Sequence, residues 1–437
     1  MFCVNRSRRI SRTFLGAFPG APDRLLVAVA VTGVGGGLIG AAYLVALTQL
    51  RKVLWPTHWS LAEHWLLLVA VGVAIAVLIR LLGDAGDTEL LVDNIHVSGG
   101  AEGLRRLWSL VPVSLLGIAV GGGIGPEAPL TQTTGSVGSY AGRRFGFTAD
   151  EIRICSITGM AAGFTVLFAA PLGGAVFALE ILHRKGMEYY EALVPAAIGS
   201  VAGYAIYTAL TGWGLQPVWR FPTPPLHLTM ADLGYAALCG VAGALVAAIF
   251  TGTTMLTRWA FRPLPSWARP VAAGVLLGAV AFISPYGLTY AEFQLGAFAR
   301  LPHIAVATLL LAVLGHLLSA TVTMAGEWKG GFIIPLFFIG YCLGRAAAGW
   351  LPGADEVVLA TAMMVACNVG VTKTPLGSTL VVAAMAGMRL LPTMLIAALV
   401  SLLLTSGLGL LESQRSRGHA DVLPQTSGEP GLEGSAA

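Results

Sequence analysis

A single carboxylate, Glu127, lies in the glycine- and proline-rich stretch GGGIGPEAPLTQ at residues 121–132. The chain carries no other charged side chain between Arg106 and Arg143. An ionised carboxylate is costly to bury in apolar surroundings, so an ionisable group in such a place is a candidate functional residue. As an anion, Glu127 can occupy a site for anions. When it takes up a proton it becomes neutral and can leave that site.

The residues around Glu127 belong to a pattern that occurs twice. The pattern G-x-x-x-P-L begins at Gly125 and again at Gly331, 206 residues later. A second pattern, P-L-G, begins at Pro171 and again at Pro375, 204 residues later. Two patterns that recur in the same order and at nearly the same offset predict a chain of two related halves. Duplicated halves of membrane transporters typically place their substrate site near the bilayer midplane, between broken helices.

The prolines of the first pattern, Pro129 and Pro335, indicate helix starts. Proline is tolerated in the first turn of a helix because the N–H groups there have no partner within the helix. These free N–H groups and the positive end of the helix dipole together form a site for an anion. Glu127 precedes Pro129 in such a first turn, and we expect it to occupy the anion site whenever no other anion does.

The composition indicates a membrane protein with many helical spans. Hydrophobic residues make up 56% of the chain and charged residues 11%, and the mean hydropathy is +0.77. A soluble domain has about 25% charged residues. A helix needs about 20 apolar residues to cross a bilayer. The uncharged runs that reach this length are Leu25–Leu50, Cys155–Leu179, Ala192–Trp219, Leu233–Thr257, Pro270–Ala291, Leu301–Gly326 and Leu390–Leu411.

Four shorter uncharged runs predict half-helices or tilted, re-entrant segments, because about 15 residues are marginal for a perpendicular crossing. They are Trp65–Ile79, Ala128–Gly142, Gly330–Gly344 and Thr374–Met388. Together with the repeat, the runs predict an all-α polytopic membrane protein. Its two inverted-topology halves would meet with their broken helices at a midplane anion site.

The arginines before the first span predict a cytoplasmic N-terminus, and the polar C-terminal residues predict a disordered cytoplasmic tail. We therefore expect a multi-pass protein of the cell membrane with both termini in the cytoplasm. The predicted organisation is a basic N-terminal segment (1–24), a first membrane half (25–215), a connecting loop (216–232), a second membrane half (233–411) and the tail (412–437).

Several classes of function are disfavoured by what the sequence lacks. The basic residues form no face with stacking aromatic side chains, so we expect no nucleic-acid partner. The five cysteines are scattered and show neither disulfide nor metal spacing, and we expect no metal and no cofactor. No H-E-x-x-H, plausible G-x-S-x-G or pair of intramembrane aspartates is present, so we expect no catalytic residues and no enzyme.

These residues resemble the CLC family of chloride channels and chloride/proton antiporters. The family motif G-[KR]-E-G-P is similar to GPEAP at residues 125–129. The motif G-x-F-x-P is close to GFIIP at residues 331–335, with the aromatic residue one position early. Residues 159–181 resemble a further family segment, A-A-x-F-x-x-P-[LI]-x-G-x-[LV]-F-x-x-E. The resemblance covers residues 25–410 and implies a homodimer with one anion pathway in each subunit.

The resemblance also implies roles for individual residues. Glu127 would be the external gating glutamate, and Gly125 with the backbone amides of Phe332 and Ile333 would help to bind the central anion. The nearest match to the anion-contacting serine of the family's G-S-G-I-P loop is Ser98. Lys373 would either lie near the pathway and attract anions or extend to an interface. The structural residues of the motifs would be Pro129, Pro171, Gly331, Pro335 and Pro375.

The chain departs from the family at three further positions. Pro126 replaces the basic residue before the glutamate, which removes a positive charge from the outer mouth. Ile181 stands where the antiporters have an internal proton-transfer glutamate, and isoleucine cannot relay protons. The inner-gate tyrosine has no match, because the last tyrosine of the chain is Tyr341.

From this pattern we expect transport of chloride and other small inorganic anions through a pathway gated by Glu127, passive and channel-like because of Ile181. Within the family, a proton-coupled chloride antiporter and a fluoride antiporter stay open as alternatives. A secondary transporter of a small organic anion is a more distant alternative, because the chain has few charged residues to bind a large polar substrate. The expected partners are these anions, protons in the antiporter alternatives, the lipid bilayer and a second copy of the chain.

Overall fold

The structure, a computed structural model, describes residues 24–55, 59–86, 92, 95, 100–101, 103–185, 190–212, 218–219, 221–222, 227–410 and 414–416. Over these residues the chain is almost entirely helical. The helices before residue 215 are α1 (Arg24–Leu54), α2 (Leu61–Leu82), α3 (Leu107–Ala119), α4 (Glu127–Arg144), α5 (Ala149–Phe168), α6 (Pro171–Glu180) and α7 (Tyr190–Thr211). Those that follow are α8 (Met230–Phe261), α9 (Ala268–Ile283), α10 (Glu292–Arg300), α11 (Val306–Ala325), α12 (Ile333–Ala348), α13 (Glu356–Thr372), α14 (Pro375–Ala386) and α15 (Leu391–Leu404). Short 3-10 turns precede α3 and α15, at Leu104–Arg106 and Met388–Leu390.

The helices have the length and composition of a membrane-spanning bundle. Six of those described, α1, α2, α5, α7, α8 and α11, are long and apolar enough to cross a bilayer. The chain also forms shorter apolar helices of 10–17 residues, which include α6, α12 and α14. Large apolar side chains such as Leu38 and Leu245 are exposed on the outer surface, as expected where helices face lipid. The predicted all-α polytopic fold is confirmed.

Four of the predicted runs differ from the structure. Two of them, Pro270–Ala291 and Leu390–Leu411, hold helices of only 16 and 14 residues, α9 and α15. The run Cys155–Leu179 is not one helix: α5 ends at Phe168 and α6 begins at Pro171. Ala169 adopts a left-handed conformation with φ of 53°, and proline cannot supply the N–H that a continuing helix requires. The run Trp65–Ile79 is not a half-helix, because it lies inside the 22-residue helix α2. Counting uncharged residues missed the charged ends of α2, where a capping box of Ser60 and Glu63 starts the helix.

The two sides of the bundle can be distinguished from the helix connections. Residues 55–60 join α1 to α2, and we call this side face B; face A is the side where α1 begins and α2 ends. Asp84, just after α2, forms an ion pair with Lys329 at 3.4 Å. Arg269, near the start of α9, forms an ion pair with Glu327 at 2.6 Å. Face A therefore also holds the start of α9 and the residues between α11 and α12.

Part of the predicted disordered tail is ordered. Strand β1 (His183–Lys185) pairs in parallel with strand β2 (Arg415–Ser416). The side chain of Gln414 is buried, and its amide donates hydrogen bonds to the carbonyl oxygens of Ile181 at 2.8 Å and Thr372 at 2.9 Å. Gln414 is therefore held at the ends of α6 and α13, because its one amide group satisfies free carbonyls at the ends of both helices.

Candidate anion site

Two glycines at equivalent positions of the repeat join the halves of the chain. Gly125 and Gly331 form an antiparallel bridge, in which the N–H of each donates to the carbonyl oxygen of the other at 2.7 Å. Reciprocal pairing of repeat-equivalent residues is the contact expected at a two-fold relation between duplicated halves. Helices α4 and α12 both begin next to this bridge, at Glu127 and Ile333.

The side chain of Glu127 reaches from α4 to the N-terminus of α12. Its Oε1 accepts a hydrogen bond from the N–H of Ile334 at 3.0 Å, and the N–H of Ile333 interacts with the same carboxylate. Both N–H groups lie in the first turn of α12, where the helix offers them no partner. Glu127 is completely buried. The carboxylate therefore occupies the position at which the start of α12 would bind an anion.

Gly125 and Gly331 leave the space that the Glu127 side chain fills. A Cβ atom added to Gly125 would lie 2.1 Å from Glu127 Oε2, and one added to Gly331 would lie 2.3 Å from Glu127 Cγ. Real Cβ atoms essentially never approach another atom so closely. A larger residue at either position would force the carboxylate away from the start of α12.

The hydrogen bonding of the Glu127 carboxylate is incomplete. Its Oε2 is buried and has no hydrogen-bond partner among the described residues. A buried polar atom without a partner costs about 1–3 kcal/mol, and more when it is charged. One oxygen thus holds the carboxylate at the start of α12 while the other destabilises it there. This balance allows the side chain to be displaced.

The structure brings the predicted residues of both halves to this centre. Phe332 is the N-cap of α12 and Ile333 is its first residue. Pro129 and Pro335 are the third residues of α4 and α12. The sequence interpretation missed Ile334, although any N–H of the first helical turn could have been named as a donor. Ser98 lies outside the described residues.

A second buried carboxylate, Glu180, caps another helix of the second half. Its Oε1 accepts from the N–H of Leu376 at 3.2 Å, and its Oε2 accepts from the N–H of Gly377 at 2.7 Å. These donors follow Pro375, the first residue of α14, as Pro171 is the first residue of α6. Both oxygens of Glu180 therefore have partners. The next residue, Ile181, is also buried.

Lys373 lies between the ends of two other helices. Its backbone is left-handed, with φ of 62°, at the C-cap of α13. The buried ammonium donates to the carbonyl oxygen of Gly370 at 2.5 Å and to the carbonyl and hydroxyl oxygens of Thr405 at 2.7 and 2.9 Å. A cation is favourable at helix C-termini, where carbonyl groups have no partner. These contacts give Lys373 a capping position.

A cavity of about 340 Å³ leads from face A to the starts of α4 and α12. Pro129, Gln132 and Phe332 form part of its inner wall. Arg258, Arg262, Arg269 and Lys329 are the basic residues of its lining, and Glu327 is the one carboxylate there. Neither here nor elsewhere in the described part of the chain do three or more His, Cys, Asp or Glu residues form a group that could hold a metal ion.

Comparison with known proteins establishes the family. A family model described as "Voltage gated chloride channel" matches residues 88–406, so the chain belongs to this family, the CLC family. It is a family of membrane transporters and channels.

The fold is also similar to two solved structures. One, described as a slow cyanobacterial Cl-/H+ antiporter, has a TM-score of 0.77, 22% identity, and coverage of 89% of this chain and 96% of its own. The other, described as a CLC-type fluoride/proton antiporter, has a TM-score of 0.79, 21% identity, and coverage of 90% and 98%.

Two curated relatives carry names that describe different transport modes. A protein of Pseudomonas syringae pv. tomato named "Chloride/fluoride channel protein" is 28% identical over 405 residues, which cover 89% of this chain and 86% of the relative. A protein of Yersinia pestis named "H(+)/Cl(-) exchange transporter ClcA" is 24% identical over 348 residues, which cover 74% of this chain and 71% of the relative. The names therefore agree on anion transport and differ on coupling to protons.

Proposed function

We propose that this protein transports chloride and similar small inorganic anions across the membrane, through a pathway gated by Glu127. The observation that carries the proposal is the position of the Glu127 carboxylate on the first N–H groups of α12, where Oε1 is hydrogen-bonded and Oε2 has no partner among the described residues. A helix N-terminus binds anions in general. A carboxylate that occupies it and is incompletely bonded competes with a mobile anion for the same donors.

The mechanism follows from this competition. An arriving anion loses water and gains hydrogen bonds from the backbone amides of Phe332, Ile333 and Ile334. The Glu127 carboxylate must leave these donors first, because two negative charges in one buried site repel each other. A proton on Glu127 removes its charge and its hold on the donors. Low pH on the side from which Glu127 is protonated therefore raises the anion flux.

The transport mode that we propose is passive. Ile181 is buried at the end of α6 and has no group that can carry a proton. The neighbouring carboxylate of Glu180 is engaged by two N–H groups of α14. A proton-coupled chloride or fluoride antiporter is the second candidate. It is favoured by the fold similarity to a Cl-/H+ antiporter and to a fluoride/proton antiporter.

We propose further that the protein is a homodimer whose two termini lie in the cytoplasm, so that face A is cytoplasmic. Arginines before α1 and at the end of α8 support this orientation by the excess of positive charge on one side.

The exposed apolar residues Leu172 and Leu376, at the starts of α6 and α14, offer a repeat-related surface for a second copy. We also propose that the two membrane halves comprise residues 25–215 and 233–411. We assign Lys373 a structural role from its contacts.

The proposal is tested by measuring anion efflux and proton movement together in proteoliposomes. Wild type and Glu127→Gln are compared, with chloride and then fluoride as the internal anion. Anion efflux without proton movement, faster in the variant, is the expected result. Efflux coupled to proton uptake would replace the passive mode by antiport. No efflux of either anion from wild type would overturn the proposed function.

A further inference from the structure

The Glu127 carboxylate has no direct contact with bulk water. Its side chain is completely buried, and the cavity on face A is lined by the neighbouring residues Ala128 and Pro129 but not by Glu127 itself. A carboxylate without exposed surface cannot exchange a proton with the solvent directly. Proton uptake by Glu127 therefore requires polar side chains that carry the proton through the protein.

The turn between α9 and α10 lies against the glycine-rich stretch that precedes Glu127. The N–H of Thr289 donates a hydrogen bond to the carbonyl oxygen of Gly121 at 2.8 Å. Thr289 and Ala291 both have φ of 71°, a conformation that is uncommon for residues with a side chain and especially so for β-branched threonine. Backbone strain of this kind concentrates at functional sites. The two strained residues flank Tyr290 and hold its side chain in a buried position.

Tyr290 connects this turn to a carboxylate at face B. Its hydroxyl donates a hydrogen bond to Glu292 Oε2. The same oxygen lies 3.8 Å from Nη1 of Arg51, in the last turn of α1, and α1 ends at face B. The Glu292 side chain is 35% exposed, whereas Tyr290 is 3% exposed. The hydrogen-bonded pair therefore leads from the surface of face B into the protein.

The electrostatic surroundings of the pair suit the transfer of a proton. The negative charge of Glu127 acts on the Tyr290 hydroxyl, so the inner end of the pair is within electrostatic reach of the anion site. Glu292 belongs to α10, which is too short to span a bilayer. Burial raises the pKa of the Glu292 carboxyl above its ordinary value, although the Tyr290 hydrogen bond and Arg51 act to lower it. A raised pKa lets a carboxyl group take up and release protons closer to neutral pH.

The other ionisable groups around the pair come from α1, α7 and α12. Arg51 of α1 and Tyr207 of α7 interact with the charge of Glu292. The hydroxyl of Tyr43 in α1 interacts with the charge of Glu127. Arg345 of α12 lies at the far end of α10, where it donates to a backbone carbonyl oxygen at 2.6 Å. Arginine and tyrosine keep their protons near neutral pH, so Glu292 is the member of this cluster that exchanges protons with water.

We propose that Glu292 and Tyr290 form a proton relay from face B to Glu127. The inference rests on the proposed function and adds the residues that set how fast the gate responds to acid. Glu292 takes up a proton from water and passes it to the Tyr290 oxygen, while the hydroxyl proton of Tyr290 moves on to Glu127. The acceptor is Glu127 Oε2, which has no hydrogen-bond partner among the described residues. After the transfer Glu127 is neutral, Tyr290 again carries one proton and Glu292 is again a carboxylate.

A relay of this kind affects the rate of the acid response more than its final extent. The proton affinity of Glu127 is set by its own contacts at the start of α12. The flux reached after long exposure to acid therefore stays nearly the same when the relay is lost. The approach to that flux becomes slower, because positioned proton carriers accelerate proton transfer by about 10²–10⁴-fold.

The test records anion current in membrane patches, in which all copies share one orientation, after a step to acid pH at face B. The wild-type current is expected to rise. Glu292→Gln and Tyr290→Phe should each slow this rise roughly tenfold or more and leave its final level nearly unchanged. Both changes are conservative, because the glutamine oxygen can still accept the Tyr290 hydrogen bond and phenylalanine keeps the buried ring. Glu292→Asp should restore part of the rate, since it retains a carboxyl group.

The matched control is Glu356→Gln. Glu356 also forms an ion pair with an arginine, Arg345, but it belongs to the start of α13 and has no part in the relay. This variant should respond to acid at the wild-type rate. A second control combines Glu292→Gln with Glu127→Gln. The current of Glu127→Gln should not respond to acid, and the added substitution should change nothing, because the relay has lost its acceptor.

An unchanged rate of rise in either Glu292→Gln or Tyr290→Phe would overturn the relay and leave the proposed function intact. Equal slowing in Glu356→Gln would also overturn it, because the effect would then come from the loss of any paired carboxylate. A further effect of Glu292→Gln in the Glu127→Gln background would assign Glu292 a structural role instead. Absence of anion current in wild type would remove the proposed function itself. Elution of each variant as a single species of wild-type size separates slow proton transfer from loss of folding.

Discussion

Glu127 and Glu180 are two buried carboxylates in similar positions that differ in how completely they are bonded. Each belongs to the first half of the chain, and each accepts hydrogen bonds from the first turn of a helix in the second half. At α14 both oxygens of Glu180 have a partner. At α12, within the part of the chain that the structure describes, only one oxygen of Glu127 has a partner.

The surroundings explain the difference. Glu180 is the last residue of α6, which packs against α14, and the repeat-equivalent glycines Gly173 and Gly377 let the two helices approach closely. Glu127 instead lies between Gly125 and Gly331, which make room for the carboxylate, and its Oε2 has no hydrogen-bond partner among the described residues. A carboxylate at a helix start is therefore fixed when both of its oxygens are hydrogen-bonded. It can be displaced when one oxygen has no partner.

The largest difference between Glu127 and Glu180 is expected when each carboxylate is removed in turn. We expect Glu127→Ala to raise anion flux roughly tenfold or more, because a blocking group held by a charged hydrogen bond of about 1.5–3 kcal/mol is lost. Glu180→Ala should not raise the flux. Both variants are measured as efflux per reconstituted protein. If both substitutions raised the anion flux equally, the difference in hydrogen bonding between the two carboxylates would not explain their roles.

A gentler perturbation displaces the Glu127 carboxylate without removing it. In Gly331→Ala the new Cβ atom would overlap Glu127 Cγ, so the carboxylate must leave the start of α12. We expect a several-fold rise in efflux, smaller than that of Glu127→Ala because the carboxylate remains nearby. The control is Gly234→Ala, where a Cβ atom meets nothing within 4 Å. Reduced efflux in Gly331→Ala alone would indicate that the glycine bridge itself is required.

The free energy of unfolding should be affected more by a substitution of Glu180 than by one of Glu127, which reverses the order expected for anion flux. We expect Glu180→Gln to lower the free energy of unfolding by about 2 kcal/mol, because an amide cannot accept two hydrogen bonds from α14 as a carboxylate does. Glu127→Gln should have a smaller effect, since only one oxygen is engaged. Unfolding of detergent-solubilised protein in increasing denaturant measures both. A greater loss of stability in the Glu127 variant would contradict the difference in bonding.

The smallest effect is expected at a carboxylate outside the membrane-spanning helices. Partial burial raises the pKa of Asp84, but Lys329, the N–H of Gly86 and Arg106 together lower it by more, so the pKa lies below its ordinary value. The Asp84–Lys329 pair is therefore complete above about pH 3.9 and is lost only as the pH falls through the lowered pKa. Efflux of Asp84→Asn between pH 5 and 8 should keep the wild-type pH profile. If efflux of Asp84→Asn no longer rises at low pH, the pH sensitivity would have to be assigned to Asp84 and not to Glu127.

The sequence by itself determined the features that depend on local spacing. The two offsets of 206 and 204 residues predicted the repeat. The prolines predicted helix starts, because proline fits where helical N–H groups are free. Glu127 was identified from its position among uncharged residues, and the membrane fold from the length of the apolar runs. The repeat needs only a comparison of the two parts of the sequence, and the other inferences need only neighbours in the chain.

Only the tertiary structure decided the contacts between distant residues. It selected Ile334 as the donor to Glu127, paired Glu180 with Leu376 and Gly377, and placed Lys373 at two helix ends. These partners of Glu127 and Glu180 lie about 200 residues away, so the packing of the two halves decides which atoms meet. The burial of Glu127 Oε2 without a hydrogen-bond partner among the described residues, which distinguishes Glu127 from Glu180, exists only after that packing is complete.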